Sequence, residues 1–334
     1  MDTLAGIRAR LPAYPIELPF PDISRWSKGN SGIDYIHTFD SGIPGPHVMV
    51  MALIHGNEVC GAITVDLLLE AGLRPIKGRL SFGFANVAAY RRFSRKDPDA
   101  ARYVEEDMNR VWSDDTLDGM RNTVDLKRAR EMRPFLNTVD MLLDIHSMHE
   151  ASPPLLMCGP LEKGRTLAAE IGFPEHVVID AGHASGKRLR DYGGFGDPNS
   201  TKNALLIEAG QHFSRRSRDI ALHMTCRFLV QQGVVDVRTV QPFLAEKTPA
   251  RQRFIEITHS IAARSMQFTF ATDFKGLETI SKAGTVIAYD GDMEITTPYD
   301  DCVIVQPSLR HLGPGVTVMR LGKMANHQRL QAAA

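Results

Sequence analysis

Cysteine is scarce in this sequence of 334 residues, which contains four cysteines. No two of them have the spacing of a metal-binding or redox pair. A disulfide framework is therefore not expected, and reduced thiols in a cytoplasmic protein are the simplest interpretation. The cysteines are Cys60, Cys158, Cys226 and Cys302.

An excess of charge is also lacking, because 39 basic residues balance 39 acidic ones. No block of Lys and Arg is present, so nucleic acid and anionic membranes are not expected as partners. The longest clearly apolar run, residues 48–54, is too short to span a bilayer. The first residues lack the basic and apolar regions of a secretory signal, which favours the cytoplasm.

The composition is otherwise that of an ordinary globular protein, with 43% apolar and 23% charged residues. A chain of this length is expected to form one large domain or two, with a core that needs no disulfide. A homo-oligomer is compatible with the sequence, which does not fix the oligomeric state. Any charge on a small-molecule substrate must be met by a local pocket, because the chain carries no net charge.

Strands and helices alternate over the first two thirds of the chain. Residues 48–54 have the length and character of a strand, and the apolar spacing of residues 59–71 predicts a helix directly after it. The same order recurs, which predicts an α/β domain over residues 1–238 with a central sheet flanked by helices. The other strands are predicted at residues 33–38, 80–85, 141–145, 155–158, 177–179 and 204–207, and the other helices at residues 126–139, 162–171 and 214–232.

The pattern changes beyond about residue 238. Short β-rich segments alternate with Gly, Pro and Asp turn signals, which predicts a smaller all-β domain over residues 239–334. The turn at residues 290–294 contains no lysine, so a covalently attached lipoyl or biotinyl group is not expected. The β-rich segments are residues 267–270, 286–289, 302–306 and 315–321.

Candidate ligands of a catalytic metal follow three of the predicted strands. His55 and Glu58 come after one strand, and His146 comes after another. Glu208 follows a third, and such strand ends meet at one edge of an open α/β sheet. A catalytic zinc takes three protein ligands, of which His2Glu is one known set, and keeps a position for water. We therefore predict one zinc ion per chain on His55, Glu58 and His146. His149 is an alternative to His146, which is preferred because it directly follows its strand.

Four short motifs resemble those of a known family in their order and placement. They are His55-Gly56-Asn57-Glu58, Asp107-Met108-Asn109-Arg110-Val111-Trp112, Asp144-Ile145-His146 and Ile207-Glu208-Ala209-Gly210. Together they resemble the zinc carboxypeptidase superfamily and, more narrowly, its aspartoacylase and succinylglutamate desuccinylase branch. The resemblance covers about residues 45–240. It implies a zinc-carboxypeptidase-like mixed central sheet, with the β-rich domain lying over the mouth of the zinc site.

The resemblance also implies roles for single residues. Glu208 would take a proton from water and deliver it to the leaving amine. Arg102 would polarise the scissile carbonyl and stabilise the oxyanion. Asn109 and Arg110 would hold the carboxylate of the amino-acid part of the substrate, since a guanidinium pairs well with a carboxylate. Asp107 would accept a hydrogen bond from a ligand histidine and fix its tautomer.

Some of these assignments have ordinary alternatives. Asp107 is also suited to cap a turn, and Arg102 to lie solvated at the surface. The branch carries a further substrate-binding arginine shortly before its catalytic glutamate. Here Lys187, Arg188 and Arg190 are the candidates, but a longer stretch separates them from that glutamate. Which of them faces the site stays open, and the acyl pocket is unassigned.

The sequence therefore predicts a zinc-dependent hydrolase of linear amide bonds, a deacylase that releases an amino acid from a small N-acyl amino acid. A zinc carboxypeptidase acting on small peptides is one alternative, because it would share every catalytic residue. A non-catalytic zinc-binding module is another, but such a module would be free to lose a ligand or Glu208, and all are present. The identities of the amino acid and of the acyl group are not fixed by the sequence.

Overall fold

Parallel strands joined by helices form the centre of the fold, as a computed structural model shows for residues 3–183 and 185–325. The strands are β1 (Ile36–Asp40), β2 (His47–Ala52), β3 (Arg79–Phe84), β4 (Met141–Met148), β5 (Leu155–Met157), β6 (His176–Ile179), β7 (Asn203–Gln211), β8 (Arg253–Ala262), β9 (Phe268–Phe270), β10 (Thr279–Ile280), β11 (Val286–Asp290), β12 (Met293–Thr296), β13 (Cys302–Val305) and β14 (Thr317–Met324). The helices are α1 (Leu4–Arg8), α2 (Val59–Glu70), α3 (Val87–Tyr90), α4 (Asp114–Asp118), α5 (Val124–Leu136), α6 (Glu162–Ile171), α7 (Arg215–Gln231) and α8 (Val237–Val240). Among the described residues, no helix combines the length and the apolar character needed to cross a membrane.

Most of the strands belong to one large mixed sheet. In the described part of the chain, eleven strands pair in the order β1-β3-β2-β4-β7-β5-β6-β8-β14-β13-β10, and β12-β11-β9 form a separate sheet. Strands β3, β2, β4 and β7 are parallel neighbours, whereas β5 is antiparallel to β7. This architecture confirms the predicted fold class, an α/β fold with a mixed sheet flanked by helices and a smaller all-β part.

The central strands are apolar throughout because both faces of the sheet are covered. In β2, Val48 and Val50 pack into the core under α2 and α7, whereas Met49 and Met51 pack into the core under α5. Parallel strands covered on both faces have continuous apolar sequences, and this is the pattern that predicted the strand. The sheet is thereby a rigid base whose edge presents the polar turns.

Two strands extend further than the sequence predicts. His146 lies inside β4 and Glu208 inside β7, so neither residue follows its strand as expected. The physical reason is their mutual pairing, since the parallel ladder between β4 and β7 continues beyond the apolar residues. In this register His146 lies beside Glu208 on the neighbouring strand.

The C-terminal strands continue the large sheet. Strand β8 is parallel to β6 and antiparallel to β14, so the sheet runs across residue 238. The sequence does not predict β8, although Ile255, Ile257 and Ile261 give it β-branched character. Strands from both sides of residue 238 thus belong to one sheet. The division into domains of residues 1–238 and 239–334 stays a prediction.

Candidate metal centre and surrounding pocket

The turn after β2 brings His55 and Glu58 to the edge of the sheet. Glycine is needed at position 56, because a Cβ there would lie 2.5 Å from the carbonyl oxygen of Ala101. The Gly56 N–H donates to the carbonyl oxygen of Arg102 at 3.0 Å. Glu58 then occupies the N-cap position of α2, and its side chain makes no capping hydrogen bond. The turn is thus held against the segment that carries Arg102.

The side chains of His55, Glu58 and His146 converge at this edge. Nδ1 of His55 lies 2.8 Å from Oε1 of Glu58, and Nδ1 of His146 lies 2.8 Å from Oε2. All three residues are buried. Across the described part of the chain, they are the one group of at least three His, Cys, Asp or Glu residues whose ligand atoms lie within 4.8 Å of one another. The group is able to hold a metal ion.

The partners of the two histidines show that a cation fits the group. Nε2 of His55 lies 2.9 Å from Oδ1 of Asp107, and Nε2 of His146 lies 2.8 Å from Oδ2 of Asp144. If each ring is neutral and its Nε2–H donates to the neighbouring Asp carboxylate, the lone pairs of both Nδ1 atoms face the carboxylate of Glu58. Oε2 of Glu58 is buried and has no hydrogen-bond donor among the described residues. A cation between these atoms would remove the repulsion of their electron pairs.

The charge state of Glu58 is consistent with a ligand role. Burial raises the pKa of Glu58, but positive charge on His146 and His55 brings it well below its ordinary value, and a metal cation between the same atoms would act in the same direction. The side chain is therefore ionised at neutral pH, as a carboxylate ligand must be.

His149, the alternative ligand, lies in another part of the pocket. Its Nδ1 is 3.0 Å from Nε2 of His212 and 3.4 Å from Oδ1 of Asp99. It does not belong to the group around Glu58. The structure thus brings together the preferred set of three residues rather than the alternative set.

Asp107 both caps a turn and contacts a histidine of the group. Its Oδ1 accepts a hydrogen bond from the backbone N–H of Asn109 at 2.8 Å, besides the contact with His55. Its Oδ2 accepts one from Nη2 of Arg102 at 3.0 Å, and Nη1 of Arg102 lies 3.7 Å from Oε1 of Glu58. Burial raises the pKa of Asp107, but His55 and Arg102 hold it well below its ordinary value. Arg102 is therefore an inward-facing charge and not a solvated one.

Asn109 and Arg110 line the same cavity. Oδ1 of Asn109 accepts a hydrogen bond from the backbone N–H of Leu189 at 2.9 Å, which fixes its side chain. Nη1 of Arg110 donates to the carbonyl oxygen of Asn109 at 2.8 Å, and its Nη2 lies 3.9 Å from Oδ2 of Asp107. Burial lowers the pKa of Arg110 to about 10, so the guanidinium is charged at neutral pH.

Of the three basic candidates before β7, Arg188 faces the cavity. Its Nη2 donates to Oδ2 of Asp180 at 2.9 Å. Lys187 is exposed, and Arg190 is buried away from the cavity with its Nη2 on the carbonyl oxygen of Cys158 at 2.9 Å. The three basic residues thus have separate surroundings, with Arg188 in extended conformation just before the 3-10 turn Leu189–Asp191 and Arg190 inside that turn.

Glu208 lies in the cavity wall beside His146, with its Oε1 accepting a hydrogen bond from Nε2 of Gln306 at 2.8 Å. Its Oε2 is buried and has no hydrogen-bond partner among the described residues. Burial and the nearby charge of Glu58 raise the pKa of Glu208 to about 7. A carboxylate with this pKa is suited to accept and return a proton near neutral pH.

The C-terminal strands contribute pocket residues that sequence reasoning misses. Gln306 follows β13 in a left-handed conformation, with φ of 50°. Arg320 in β14 donates from Nη1 to Oε1 of Gln306 at 3.0 Å, and its Nε lies 3.3 Å from Oδ2 of Asp180. Together with His311 these residues close a cavity of about 310 Å³ around the metal centre. No sequence motif marks these residues. The one indication that they belong to the pocket is the family resemblance, which implies that the β-rich part lies over the site.

A family model for the succinylglutamate desuccinylase/aspartoacylase catalytic domain matches residues 44–224. The chain belongs to this family. The match confirms the branch that the motifs indicated, and it supports an acylase-type hydrolase with a small-molecule substrate. A search of the curated proteins finds no significant match.

Several solved structures share the fold at low sequence identity. A succinylglutamate desuccinylase from Vibrio parahaemolyticus is 17% identical, with a TM-score of 0.60, and the match covers 84% of this chain and 82% of that one. A succinylglutamate desuccinylase/aspartoacylase from Rhodobacter sphaeroides is 20% identical, with a TM-score of 0.61 and coverage of 90% and 93%. The product-bound ectoine utilization protein EutE (DoeB) from Ruegeria pomeroyi is 16% identical, with a TM-score of 0.58 and coverage of 87% and 88%. Each of these matches covers at least 84% of this chain, which is more than the residues 44–224 matched by the family model.

Proposed function

We propose that this protein is a zinc-dependent amide hydrolase that releases an amino acid from a small N-acyl amino acid. The observation that carries the proposal is the buried His55–Glu58–His146 group with Glu208 beside it on the neighbouring strand. A metal site alone supports binding, whereas a metal site with an adjacent carboxylate of raised pKa supports hydrolysis.

His55, Glu58 and His146 would hold one zinc ion, because two imidazole nitrogens and a carboxylate are a ligand set that catalytic zinc uses. A bound zinc ion lowers the pKa of water towards neutrality and polarises the scissile carbonyl. Asp107 and Asp144 keep the two rings oriented through their Nε2 atoms.

Glu208 handles the proton in this proposal. No donor among the described residues contacts its Oε2, so this oxygen accepts a proton from the attacking water and then delivers that proton to the nitrogen of the leaving amine. The hydrogen bond from Gln306 keeps the other oxygen, Oε1, occupied and orients the carboxylate. The products are a free carboxylic acid and the amino acid.

The basic residues of the pocket bind the substrate in this proposal. Arg102, held between Glu58 and Asp107, stabilises the negative charge that develops on the carbonyl oxygen. Arg110, next to Asn109, binds the α-carboxylate of the amino acid. The names of the similar structures refer to aspartate and glutamate derivatives, and a nearby Arg188 is placed to bind a second carboxylate. We therefore propose an acidic amino acid as the leaving group.

The part of the chain after residue 238 closes the pocket in this proposal. Gln306 and Arg320 stand in the cavity wall, and the cavity of about 310 Å³ suits a small acyl-amino acid better than a long peptide. Because the family match falls on the deacylase branch, no peptidase function is proposed. The cytoplasmic location and a homo-oligomeric state stay predictions.

Release of amine from a panel of N-acetyl, N-succinyl and N-formyl amino acids tests the proposal. We expect turnover of the aspartate or glutamate derivatives by protein that contains one zinc ion per chain, and loss of turnover after chelation. Zinc-loaded protein that releases no amine from any member of the panel would contradict the proposed function. A protein purified without chelators that contains no stoichiometric metal would contradict the metal site itself.

A further inference from the structure

Three histidines lie beside the metal centre without a part in the proposed reaction. The ring centres of His149 and His212 are 4.5 Å apart, and those of His149 and His311 are 4.7 Å apart. We call His149, His212 and His311 the histidine cluster. His149 and His311 line the same cavity as the metal centre, so a bound substrate comes within their reach.

The proton position on His311 follows from its partner. Nη2 of Arg8 lies 3.2 Å from Nδ1 of His311. A guanidinium only donates hydrogen bonds, so Nδ1 is the acceptor and a neutral His311 carries its proton on Nε2. Burial and the nearby His149 and Arg102 hold the pKa of His311 well below its ordinary value, which keeps the ring neutral.

His149 also carries its proton on Nε2 when the hydroxyl of Ser147 donates to His212. Oγ of Ser147 lies 2.7 Å from Nδ1 of His212, and Nε2 of His212 lies 3.0 Å from Nδ1 of His149. The Asp99 carboxylate is farther from that Nδ1, at 3.4 Å. A hydroxyl that donates to His212 lets His212 donate to His149, which leaves the His149 proton on Nε2.

Both Nε2 atoms are buried without a hydrogen-bond partner among the described residues. Buried N–H donors are usually paired, and an unpaired one is unfavourable. Since His149 and His311 line the cavity, a bound ligand is the natural source of the missing acceptor. An imidazole N–H in this tautomer forms a hydrogen bond with an oxygen acceptor, whereas an alkyl group offers it no hydrogen bond.

The histidine cluster and the carboxylate-binding arginines are separate parts of the cavity wall. The polar contacts of the cluster run to Arg8 and Asp99, whereas Arg188 contacts Asp180. Arg102 lies between the two parts, because it shares Oδ2 of Asp107 with Arg110 and the ring of the adjacent Tyr103 lies 6.4 Å from the ring of His311. A substrate whose scissile carbonyl lies at Arg102 therefore has one end at the arginines and the other at the histidines.

We propose that the histidine cluster is the acyl subsite, and that it selects acyl groups with an oxygen acceptor beyond the scissile carbonyl. The inference rests on the proposed function, because the assignment of Arg110 to the amino acid leaves the histidine side for the acyl chain. The acceptor is a hydroxyl or a carboxylate oxygen at the far end of a short acyl chain. A plain alkyl chain would leave the two N–H groups unpaired and is bound less well.

Three acyl chains of similar length test this selectivity in the zinc-loaded protein. The probes are the N-butanoyl, N-(4-hydroxybutanoyl) and N-succinyl derivatives of L-aspartate and L-glutamate. We expect kcat/KM at least 10-fold higher for the two oxygen-bearing chains than for the butanoyl chain, and their ratio tells whether a hydroxyl or a carboxylate is preferred. A butanoyl derivative that is cleaved equally well or better overturns the inference.

Variants of His311 connect the selectivity to the cluster. His311→Leu is expected to abolish the preference, whereas His311→Gln keeps an N–H near the position of Nε2 and retains most of it. His259→Leu, at an exposed position of β8, is the matched control and keeps the full preference. A full preference in His311→Leu would assign the selectivity to other residues. If His311→Leu does not fold, the wild-type panel and His311→Gln still decide.

Binding to an inactive variant separates this inference from the proposed function. Glu208→Gln is titrated with the same probes by calorimetry. Tighter binding of the oxygen-bearing chains, without turnover of any probe by the wild type, would overturn the proposed reaction and keep the subsite. Turnover without a preference would keep the reaction and overturn the subsite, and absence of both binding and turnover would overturn both.

Discussion

The α/β part of the chain and the C-terminal strands contribute to the pocket in different ways. His55 and Glu58 are buried in the turn after β2, His146 is buried within β4, and each lies close to a second charged group. Gln306 is instead partly exposed, on a segment between two strands, and its side chain joins Arg320 to Glu208. Buried side chains with a charged partner are suited to hold a metal. A side chain such as that of Gln306 is suited to orient Glu208 and to change its pKa. Substitutions in the two parts should therefore differ in size and in kind.

The largest effect is expected for Glu208→Gln. The amide has nearly the same shape but takes up no proton, so kcat should fall about 10³-fold or more. The zinc content should not change, because Glu208 is not one of the three ligands. Turnover of the best N-acyl amino acid and metal analysis of the same sample measure both quantities. Glu256→Gln, at an exposed position of β8, is the matched control. Wild-type turnover in Glu208→Gln would place the base elsewhere.

Asp144→Asn should weaken the metal site without removing a ligand. Asp144 is buried and lies 2.8 Å from Nε2 of His146, so the amide removes the charge that orients the ring. Loss of such a partner typically costs 10- to 100-fold in metal affinity. Competition with a chromogenic chelator measures the change. Asp140→Asn, near the opposite end of β4, is a control for general damage to the strand. Unchanged zinc affinity would contradict the orienting role.

Arg188→Ala and Arg190→Ala should separate binding from stability. Arg188 faces the cavity, so its loss should raise KM roughly 10- to 100-fold through a lost charged hydrogen bond, with a small effect on kcat. Arg190 contacts Asp191 and the carbonyl oxygen of Cys158 away from the cavity. Its loss should lower the free energy of unfolding by about 3 kcal/mol and leave KM unchanged. Steady-state kinetics and urea denaturation of both variants check the pair. A raised KM in Arg190→Ala alone would reverse the assignment.

The same contrast between the two parts explains what the sequence could reveal. The positions of His55 and Glu58 could be predicted because an apolar strand followed by a polar turn is a local pattern. The surroundings of Arg188 could not, because the direction of a side chain in an irregular segment before a 3-10 turn depends on how that segment packs. Gln306 and Arg320 depend on contacts between strands about a hundred residues away from Glu208. No local pattern records such a contact, and the sequence does not predict β8, which joins the two parts.

The smallest effect is expected for Gln306→Ala, which removes the link from the C-terminal strands to the base. One hydrogen bond of this kind is worth about 1 kcal/mol, so kcat should fall roughly fivefold to tenfold while KM changes little. Burial and the charge of Glu58 raise the pKa of Glu208, and the bond from Gln306 opposes that rise. Without the bond the pKa of Glu208 rises further, and the base is ionised only at higher pH. The acidic limb of kcat/KM should therefore move to higher pH, so that the loss is greatest in acid. A pH profile measures this shift, with Gln267→Ala, at an exposed position before β9, as the control. A lower kcat with an unmoved acidic limb would mean that Gln306 supports the fold of its segment and does not act on Glu208.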